Sequence, residues 1–352
     1  MKRLFVLLII VLFVFSAFAQ NPVTLRTMAG AWEAGGLEAA DWYGMNLPRI
    51  PGTWYFVDPT SGNAAWDGLT KSTAVASIVT AYGKCTSGAG DGIVVMSRGT
   101  TTAGTSSYLS ATITWSKHGI TVVGLCAPTW YNQRARIASA SGVATLTSLI
   151  TVTGNNNAFI NLLFYNAHAG SAQNSTVKVT GVRNAFINCD FKGTPAAADA
   201  YKCDLWLSGA DETLFKHCNF GNASYDAGDN AACHVYIDGT TGNGQNYFEN
   251  CTSVAQVSAG TAFGVLKSGA ATALNGIMIF KDCIFTAWRA NTGDPALATW
   301  FIGTAPTTGT ICVQNSGIFG YDEWDSAAGN DRVYVVNPTS AANAGGGIAT
   351  VK

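Results

Sequence analysis

One short pattern of apolar and polar positions recurs six times between residues 150 and 321. Each copy opens on Phe or Val, carries Asn, Asp or His at its third position and, in four copies, Cys at its fourth. The spacings between copies are 27, 29, 33, 32 and 33 residues. Units of this size cannot bury an apolar face alone, so they must stack as a solenoid. The copies begin at Phe159, Phe186, Phe215, Phe248, Phe280 and Val313.

The repeated phrases predict strands rather than helices. They are short, rich in Val, Ile, Phe and Thr, and bounded by Gly, Asn and Ser. A second apolar phrase, usually ending in Gly, precedes each copy. Within a copy the first Phe and the Cys are three positions apart, which breaks simple alternation. An Asn in the left-handed conformation would form a corner there and let Phe and Cys both point inward.

This arrangement of strands, Gly turns and Asn corners resembles the right-handed β-helix of the pectin-lyase-like superfamily, which includes extracellular and phage-associated β-solenoids. The resemblance covers most of residues 53–340. It extends to the opening segment, where Thr53–Pro59 and Gly90–Val95 are similar to the first strands and Gly/Asp-rich turn of that group. It implies an all-β, single-stranded right-handed parallel β-helix of eight to ten coils, with an internal Asn ladder and aromatic stack.

A short N-terminal capping helix is predicted between the first two strands. Ser72 can cap a helix of about residues 73–82, whose apolar face would contain Val75, Ile78, Val79 and Tyr82. Such a helix would cover the open end of the coil, which otherwise exposes unpaired backbone and apolar side chains.

The chain divides into four segments. Residues 1–19 have the basic start, apolar run and small-residue cleavage site of a signal peptide, which predicts a secreted or cell-surface protein with no membrane span after cleavage. Residues 20–52 form an N-terminal lead-in that could be a cap, a linker or a docking arm. Residues 53–340 form the β-helix domain, and residues 341–352 are a flexible tail rich in Gly, Ala and Asn.

The charge pattern argues against nucleic acid as a partner. Only 12% of residues are charged and the net charge is -1, so the chain lacks a basic footprint. One charged column is expected on the outside of the second strand, where Lys216, Glu249 and Lys281 would stack with alternating sign. We interpret this column as a device that fixes the register.

Nine cysteines in an exported chain raise the question of disulfides. Cys189, Cys218, Cys251 and Cys283 share one repeat position and are interpreted as an inward stack of small apolar side chains. Two pairs are candidates for disulfides: Cys203 with Cys233, and Cys85 with Cys126.

The sequence contains no clear catalytic motif. The adjacent Asp pair with a downstream Gly-His-Gly that the hydrolytic relatives use is absent. The resemblance to lyases implies another mechanism. In it, Ca²⁺ held by carboxylates makes a uronate C–H more acidic, and a basic side chain removes that proton. Only under this alternative is a cofactor expected. Its candidate parts are Asp199, Asp204, Asp226 and Asp229 as ligands and Arg183, His217 or His234 as bases. His217 occupies the Asn-corner position, which favours a structural role for it.

An aromatic column supplies the candidate binding site. Aligning each first strand on its terminal Gly places Thr151, Lys178, Trp206, Tyr236, Leu266 and Trp300 in one outward column. Rows of exposed aromatics mark contact surfaces, and rings about 5 Å apart along the axis would suit stacking on a glycan. Asp238 and Ser208 would be hydrogen-bond partners. A loop, the lead-in or a partner subunit could instead cover the column.

The sequence therefore predicts an exported, non-enzymatic β-solenoid, a surface or virion structural protein that contacts polysaccharide through Lys178, Trp206, Tyr236, Trp300 and Asp238. The alternative is a polysaccharide lyase or depolymerase of the pectin-lyase-like type. A homo-oligomer, trimeric by analogy with phage tailspikes, is a further expectation.

Overall fold

The chain forms a parallel β-helix whose strands build three sheets. The structure is a computed structural model. It describes residues 50–97, 105–129, 131–132, 134–141, 143, 146–167, 174–193, 202–226, 233–239, 242–257, 261–269, 272–289, 298–304, 306–321, 323–325 and 332–336.

Each sheet contains one strand from every complete coil. Sheet 1 has ten strands: β1 (Trp54–Val57), β2 (Gly92–Met96), β5 (Thr121–Leu125), β8 (Ala158–Ile160), β11 (Ala185–Ile187), β14 (Leu214–Lys216), β17 (Asn246–Glu249), β20 (Ile277–Lys281), β23 (Thr310–Gln314) and β26 (Val333–Val336). Sheet 2 has eight: β3 (Ser106–Leu109), β6 (Arg136–Ser139), β9 (Leu163–Tyr165), β12 (Asp190–Lys192), β15 (Asn219–Asp226), β18 (Thr252–Val257), β21 (Ile284–Arg289) and β24 (Gly317–Phe319). Sheet 3 also has eight: β4 (Ile113–Trp115), β7 (Ser148–Val152), β10 (Asn174–Val179), β13 (Lys202–Ser208), β16 (Cys233–Asp238), β19 (Thr261–Ser268), β22 (Ala298–Thr304) and β25 (Glu323–Asp325).

The corners between sheets 1 and 2 have the predicted left-handed backbone. Asn161 has a φ of 56°, Asn188 of 50° and Asn250 of 51°. The two residues that replace Asn at this position, His217 and Asp282, adopt the same conformation with φ of 53° and 54°. Asn, Asp and His are the side chains that best tolerate this region. The corner prediction is confirmed.

Stacked aromatic rings fill the interior. The phenylalanines of sheet 1 lie face to face on successive coils, with ring centroids 5.2 Å apart for Phe186 and Phe215, 4.6 Å for Phe215 and Phe248, and 4.4 Å for Phe248 and Phe280. A second stack in sheet 2 joins Phe191 to Phe220 at 5.0 Å. All of these rings are buried. The predicted aromatic stack is therefore confirmed.

The cysteines at the repeat position line the same interior. Cys189, Cys218, Cys251 and Cys283 are buried, as predicted. Each thiol donates to a Phe carbonyl oxygen one coil earlier; the Sγ of Cys218, for example, lies 3.3 Å from the oxygen of Phe186. The thiols thus have hydrogen-bond acceptors within the apolar interior.

The N-terminal helix is present, but it starts later than predicted. Helix α1 spans Ile78–Lys84, and its cap is Ser77, whose side chain accepts from the Thr80 amide. Ser72 instead belongs to a short 3-10 turn, Lys71–Thr73. Val75 is extended and forms a β-bridge with Val57, so the backbone between the turn and α1 cannot be helical.

Helix α1 packs against the first coils. Ile78 and Ala81 are buried, and the ring of Tyr82 stacks on Trp115 at 4.1 Å. Lys117 donates to the carbonyl oxygen of Tyr82 at the C-terminal end of the helix, where a cation also interacts favourably with the helix dipole.

The predicted charged column is also present. Lys216, Glu249 and Lys281 lie opposite one another on neighbouring strands of sheet 1. The Nζ of Lys216 lies 2.8 Å from the Oε2 of Glu249. This alternation of sign supports the observed register.

The candidate disulfide between Cys85 and Cys126 is contradicted. Asp91 directly precedes β2, and its carboxylate accepts a hydrogen bond from the amide of Thr86. Cys85, the residue before Thr86, therefore lies near the start of β2. Cys126 follows the last residue of β5, and β5 pairs along the whole of β2. The two residues are therefore separated by the length of a five-residue strand, which exceeds the reach of a disulfide.

The predicted signal peptide, most of the lead-in and the C-terminal tail lie outside the described residues, so these assignments remain predictions. Among the described residues, no helix is both long and apolar enough to cross a membrane.

Candidate functional site

Three of the predicted glycan-binding residues share one column of sheet 3. Lys178 pairs in register with Trp206, and Trp206 pairs with Tyr236. Each alternates with buried neighbours and is itself half-buried. These three residues therefore lie side by side on the face of sheet 3 that points away from the core.

The two rings do not form the flat platform that was predicted. Trp206 and Tyr236 meet edge to face, with centroids 6.0 Å apart and an angle of 73° between the ring planes. The Nζ of Lys178 lies 3.4 Å from the centroid of the Trp206 ring. One face of the indole is therefore occupied by a cation within the protein itself.

The predicted column is wrong at its last two members. Lys267, not Leu266, pairs with Tyr236. Leu266 is buried between Val235 and Ile302. Gly239 follows Tyr236 by three residues, whereas Gly269 follows Lys267 by two, so an alignment on the terminal Gly shifts the register by one. A one-residue shift turns a side chain to the other face of the strand.

Trp300 is also displaced from the column. Its backbone pairs with Gly264, and the pairing of β19 with β22 contains two register irregularities. Gly264 in turn pairs with Cys233, three residues before Tyr236. Trp300 therefore does not extend the row that contains Trp206.

The predicted polar partners lie next to the column. Ser208 and Asp238 pair with each other across β13 and β16. Among the described residues, the buried Oδ1 of Asp238 and the buried Nε1 of Trp206 have no hydrogen-bond partner. Buried polar atoms of this kind normally form a hydrogen bond.

A buried acid–histidine pair lies two residues before the aromatic column on the same strands. The Nδ1 of His234 is 2.6 Å from the Oδ2 of Asp204. The other oxygen of Asp204 accepts a 2.7 Å hydrogen bond from the amide of Gly193. Sequence analysis named both Asp204 and His234, and the structure brings them together.

Lys192 lies beside this pair, at the end of β12. It is 2% exposed. Its Nζ is 3.2 Å from the Oδ1 of Asn132 and 3.2 Å from the centroid of the Tyr131 ring. Burial lowers the pKa of Lys192 to about 8, although Asp190 and Asp204 favour its charged form. A buried amine is expected to titrate in this direction because desolvation penalises the ammonium ion.

Two more buried charges complete the group. Asp190 lies two residues before Lys192 on β12 and faces the same side of the sheet. Arg136 lies two coils earlier in the column of Asp190, and Leu163 lies between Arg136 and Asp190 in that column. Burial lowers the pKa of the Arg136 guanidinium as well. We call the five residues that combine these charges the charged cluster: Arg136, Asp190, Lys192, Asp204 and His234.

Sequence analysis missed Arg136, Asp190 and Lys192. Asp190 stands at the fifth position of the repeated phrase and Lys192 directly after its sixth. Polar residues at the outward positions of a solenoid usually face solvent. A coil-by-coil alignment identifies their face, but not the burial that distinguishes them.

The remaining candidates from the lyase alternative do not join the charged cluster. Arg183 is exposed at another corner and forms an ion pair with Glu212. His217 occupies a left-handed corner. Asp199, Asp229 and the side chain of Asp226 lie outside the described residues.

The described residues do not fit a calcium site. Among them, no three His, Cys, Asp or Glu side chains converge closely enough to hold a metal ion. Within the charged cluster, Asp204 is engaged by His234 and by the Gly193 amide.

Comparison with solved structures shows what this fold resembles. A pectin methylesterase in complex with hexasaccharide VII matches with a TM-score of 0.56 and 12% identity, over 87% of this chain and 94% of that chain. Pectin methylesterase PemA from Erwinia chrysanthemi matches with a TM-score of 0.55 and 13% identity, over the same 87% and 94%. The pectate lyase Pel9A matches with a TM-score of 0.55 and 15% identity, over 80% of this chain and 68% of that chain.

These likenesses show the fold. The chain is a right-handed parallel β-helix of the pectin-lyase-like type, as predicted. No family model and no curated protein matches the sequence.

Proposed function

We propose that this protein cleaves an acidic polysaccharide by elimination, with Lys192 as the general base. The observation that carries the proposal is a buried amine whose pKa is lowered to about 8 and which lies among carboxylates on the flank of the β-helix. Perturbed titratable groups of this kind concentrate at functional sites. The proposal adopts the alternative from sequence analysis in place of the non-enzymatic interpretation.

The chemistry requires a neutral amine near neutral pH. A lysine with its ordinary pKa of 10.5 is almost fully charged at pH 7, whereas a pKa of about 8 leaves roughly a tenth of it neutral. The neutral amine removes the proton from the carbon next to the uronate carboxylate. The released electron pair forms a carbon–carbon double bond as the bond to the glycosidic oxygen breaks, and that oxygen takes up a proton from water.

The other cluster residues have separate roles in this scheme. Arg136 would pair with the uronate carboxylate, and this charge neutralisation makes the neighbouring C–H more acidic. Asp204 is a positioning residue, because it holds the amide of Gly193, the residue after Lys192. His234 fixes Asp204 through their short contact.

Substrate access requires movement of the segment that covers Lys192. Tyr131 and Asn132, which contact the Nζ of Lys192, both lie between β5 and β6. A substrate must displace their side chains to reach the amine. Loops that close over an active site commonly move in this way.

The structural neighbours suggest the substrate class. Two are named as pectin methylesterases and one as a pectate lyase. Pectin and pectate are rich in uronate, which is the type of sugar that the proposed elimination needs.

The test is an ultraviolet assay for unsaturated products on polygalacturonate, methylated pectin and alginate, with and without added Ca²⁺ or chelator. We expect product release that rises with pH and levels off above about pH 8, with at least a 100-fold loss in Lys192→Met. Lys216→Met is the matched control, because Lys216 pairs with Glu249 on another sheet. Equal rates in the two variants would exclude Lys192 as the base, and no product from the folded protein on any substrate would reject the proposal.

A second candidate function is glycan binding without catalysis, by the column Lys178, Trp206 and Tyr236 with Asp238. It is favoured by the unpartnered Nε1 of Trp206 and Oδ1 of Asp238, because sugar hydroxyl groups can both accept from the first and donate to the second. The test is retention on immobilised glycans of the Trp206→Ala, Tyr236→Ala double variant. Unchanged retention with lost thermal stability or a lost oligomer would assign the column to packing.

A further inference from the structure

We propose that Cys203 and Cys233 are a disulfide-forming pair that ties two neighbouring coils together. The two residues lie directly opposite each other in the parallel pairing of β13 with β16. Both are buried. Each lies two residues before an inward aliphatic side chain, Leu205 or Val235, so the two cysteines point to the same side of their strands.

The distance between the backbones suits the bond. Neighbouring strands of a sheet lie about 4.8 Å apart, and disulfides join residues whose Cα atoms are roughly 4.4 to 6.8 Å apart. A directly opposed pair in a regular ladder therefore needs only side-chain rotation.

The same column shows that neighbouring γ atoms approach each other. Ser148 pairs with Ser175, and Ser175 pairs with Cys203. The Oγ atoms of Ser148 and Ser175 are 2.7 Å apart. Since the cysteines continue this column, their Sγ atoms start from equivalent positions one and two coils further on.

The next member of the column supports pairing of these two cysteines with each other. Gly264 lies opposite Cys233 and carries no side chain. The thiol of Cys233 therefore meets only one neighbouring thiol in the column, that of Cys203. The Cys233 thiol also raises the pKa of Cys203, in addition to the effect of burial, which is consistent with their closeness.

The bond would form during folding rather than afterwards. Burial raises the pKa of both thiols, and the thiolate is the form that attacks a disulfide. With oxidised glutathione as the oxidant, the two cysteines lose two protons and two electrons and form one S–S bond. The electrons reduce the glutathione disulfide to two glutathione thiols.

The pair lies next to the charged cluster. Cys203 directly precedes Asp204, and Cys233 directly precedes His234. A bond between them would hold together the starts of the two strands that carry this acid–histidine contact. The bond closes a loop of about 30 residues in the unfolded chain, which restricts the unfolded state.

The experiment is refolding of the denatured, reduced full chain in a glutathione redox mixture, followed by thiol titration and peptide mass mapping without reductant. We expect seven titratable thiols, two fewer than the nine cysteines of the chain, and one linked peptide pair that contains Cys203 and Cys233. The midpoint of thermal unfolding should be higher by roughly 5 °C than that of protein refolded with reductant.

Two variants test whether the bond joins Cys203 to Cys233. Cys203→Ser should remove the linked pair and the thermal shift, and it introduces a hydroxyl like that of Ser175 in the same column. Cys218→Ser should keep both, because Cys218 belongs to the interior stack and donates to the carbonyl of Phe186. Nine thiols after oxidative refolding, or a bond that joins Cys218 to Cys251 instead, would overturn the proposal. This result can be obtained with the wild-type chain even if a variant fails to fold.

Discussion

Lys178 places its ammonium group over the indole ring of Trp206, 3.4 Å from the ring centroid, across two neighbouring strands of sheet 3. The contact gives the column a structural function independent of any ligand, because a cation over an aromatic face stabilises the fold.

Lys178→Met should lower the free energy of unfolding by about 1 kcal/mol, since the contact is partly desolvated. Urea denaturation of both proteins measures the change. Lys281→Met is a suitable control, because Lys281 lies on the exposed charged column, 3.9 Å from the carboxylate of Asp282 and opposite Glu249, and exposed pairs of this kind contribute little. Equal losses in the two variants would mean that the contact with Trp206 adds nothing.

The aromatic stack should dominate stability. Phe215 is buried between Phe186 and Phe248, so Phe215→Ala removes a large side chain and leaves a cavity. We expect a loss of about 3 to 5 kcal/mol in the free energy of unfolding. Phe319, which is 46% exposed on the last strand of sheet 2, is the comparison. Phe319→Ala should cost much less, and a similar cost would contradict the assignment of the core.

The left-handed corner can be tested with two substitutions at Asn188, which has a φ of 50°. Its Nδ2 donates to the Oδ1 of Asn161 at 2.8 Å. Asn188→Gly loses the hydrogen bond but tolerates the backbone, whereas Asn188→Ala loses the bond and is also strained. We expect Asn188→Ala to be the less stable variant by about 1 kcal/mol. Thermal unfolding that ranks the two in the opposite order would argue against strain at the corner.

The titration of Lys192 predicts a pH dependence of stability that does not depend on any substrate. Its pKa is about 8 in the folded chain and 10.5 ordinarily, so between these values the unfolded chain binds more protons than the folded one. Stability contributed by this residue therefore rises with pH across that window. The penalty for burying the charged form is fully present below pH 8.

The measurement is the free energy of unfolding of wild type relative to Lys192→Met at pH 7 and at pH 10. We expect the wild type to gain up to about 3 kcal/mol on the variant between these pH values. The same comparison with Lys216→Met should show no such gain. A flat difference for Lys192 would show that its amine titrates normally, and the proposed catalytic base would then lose its support.

The interior of this fold could be predicted from sequence because it repeats. Phe186, Phe215 and Phe248 occupy one position in successive coils, and an inward column must contain similar side chains. The corner was predictable for the same reason, since Asn, Asp and His at one position share a backbone preference.

The outer face was harder to predict because local register does not follow the repeat. Leu266 and Trp300 were misplaced by the shorter Gly269 turn and by irregular pairing in β19 and β22. The burial of Lys192 depends on Tyr131, which comes from a segment 61 residues earlier. A sequence repeat does not predict a contact between residues so far apart in the chain.

The constant length of the corner between sheets 1 and 2 limits where residues can be inserted into the chain. From β8 to β24 the crossing always takes two residues, whereas the crossing from sheet 2 to sheet 3 takes between three and nine. One extra residue at the corner would turn Phe191 and its equivalents out of the core. Insertions are therefore tolerated at the crossings into and out of sheet 3 rather than at this corner, and the charged cluster lies beside the first of those crossings. A scaffold built this way can acquire new surface chemistry there while its cross-section stays constant.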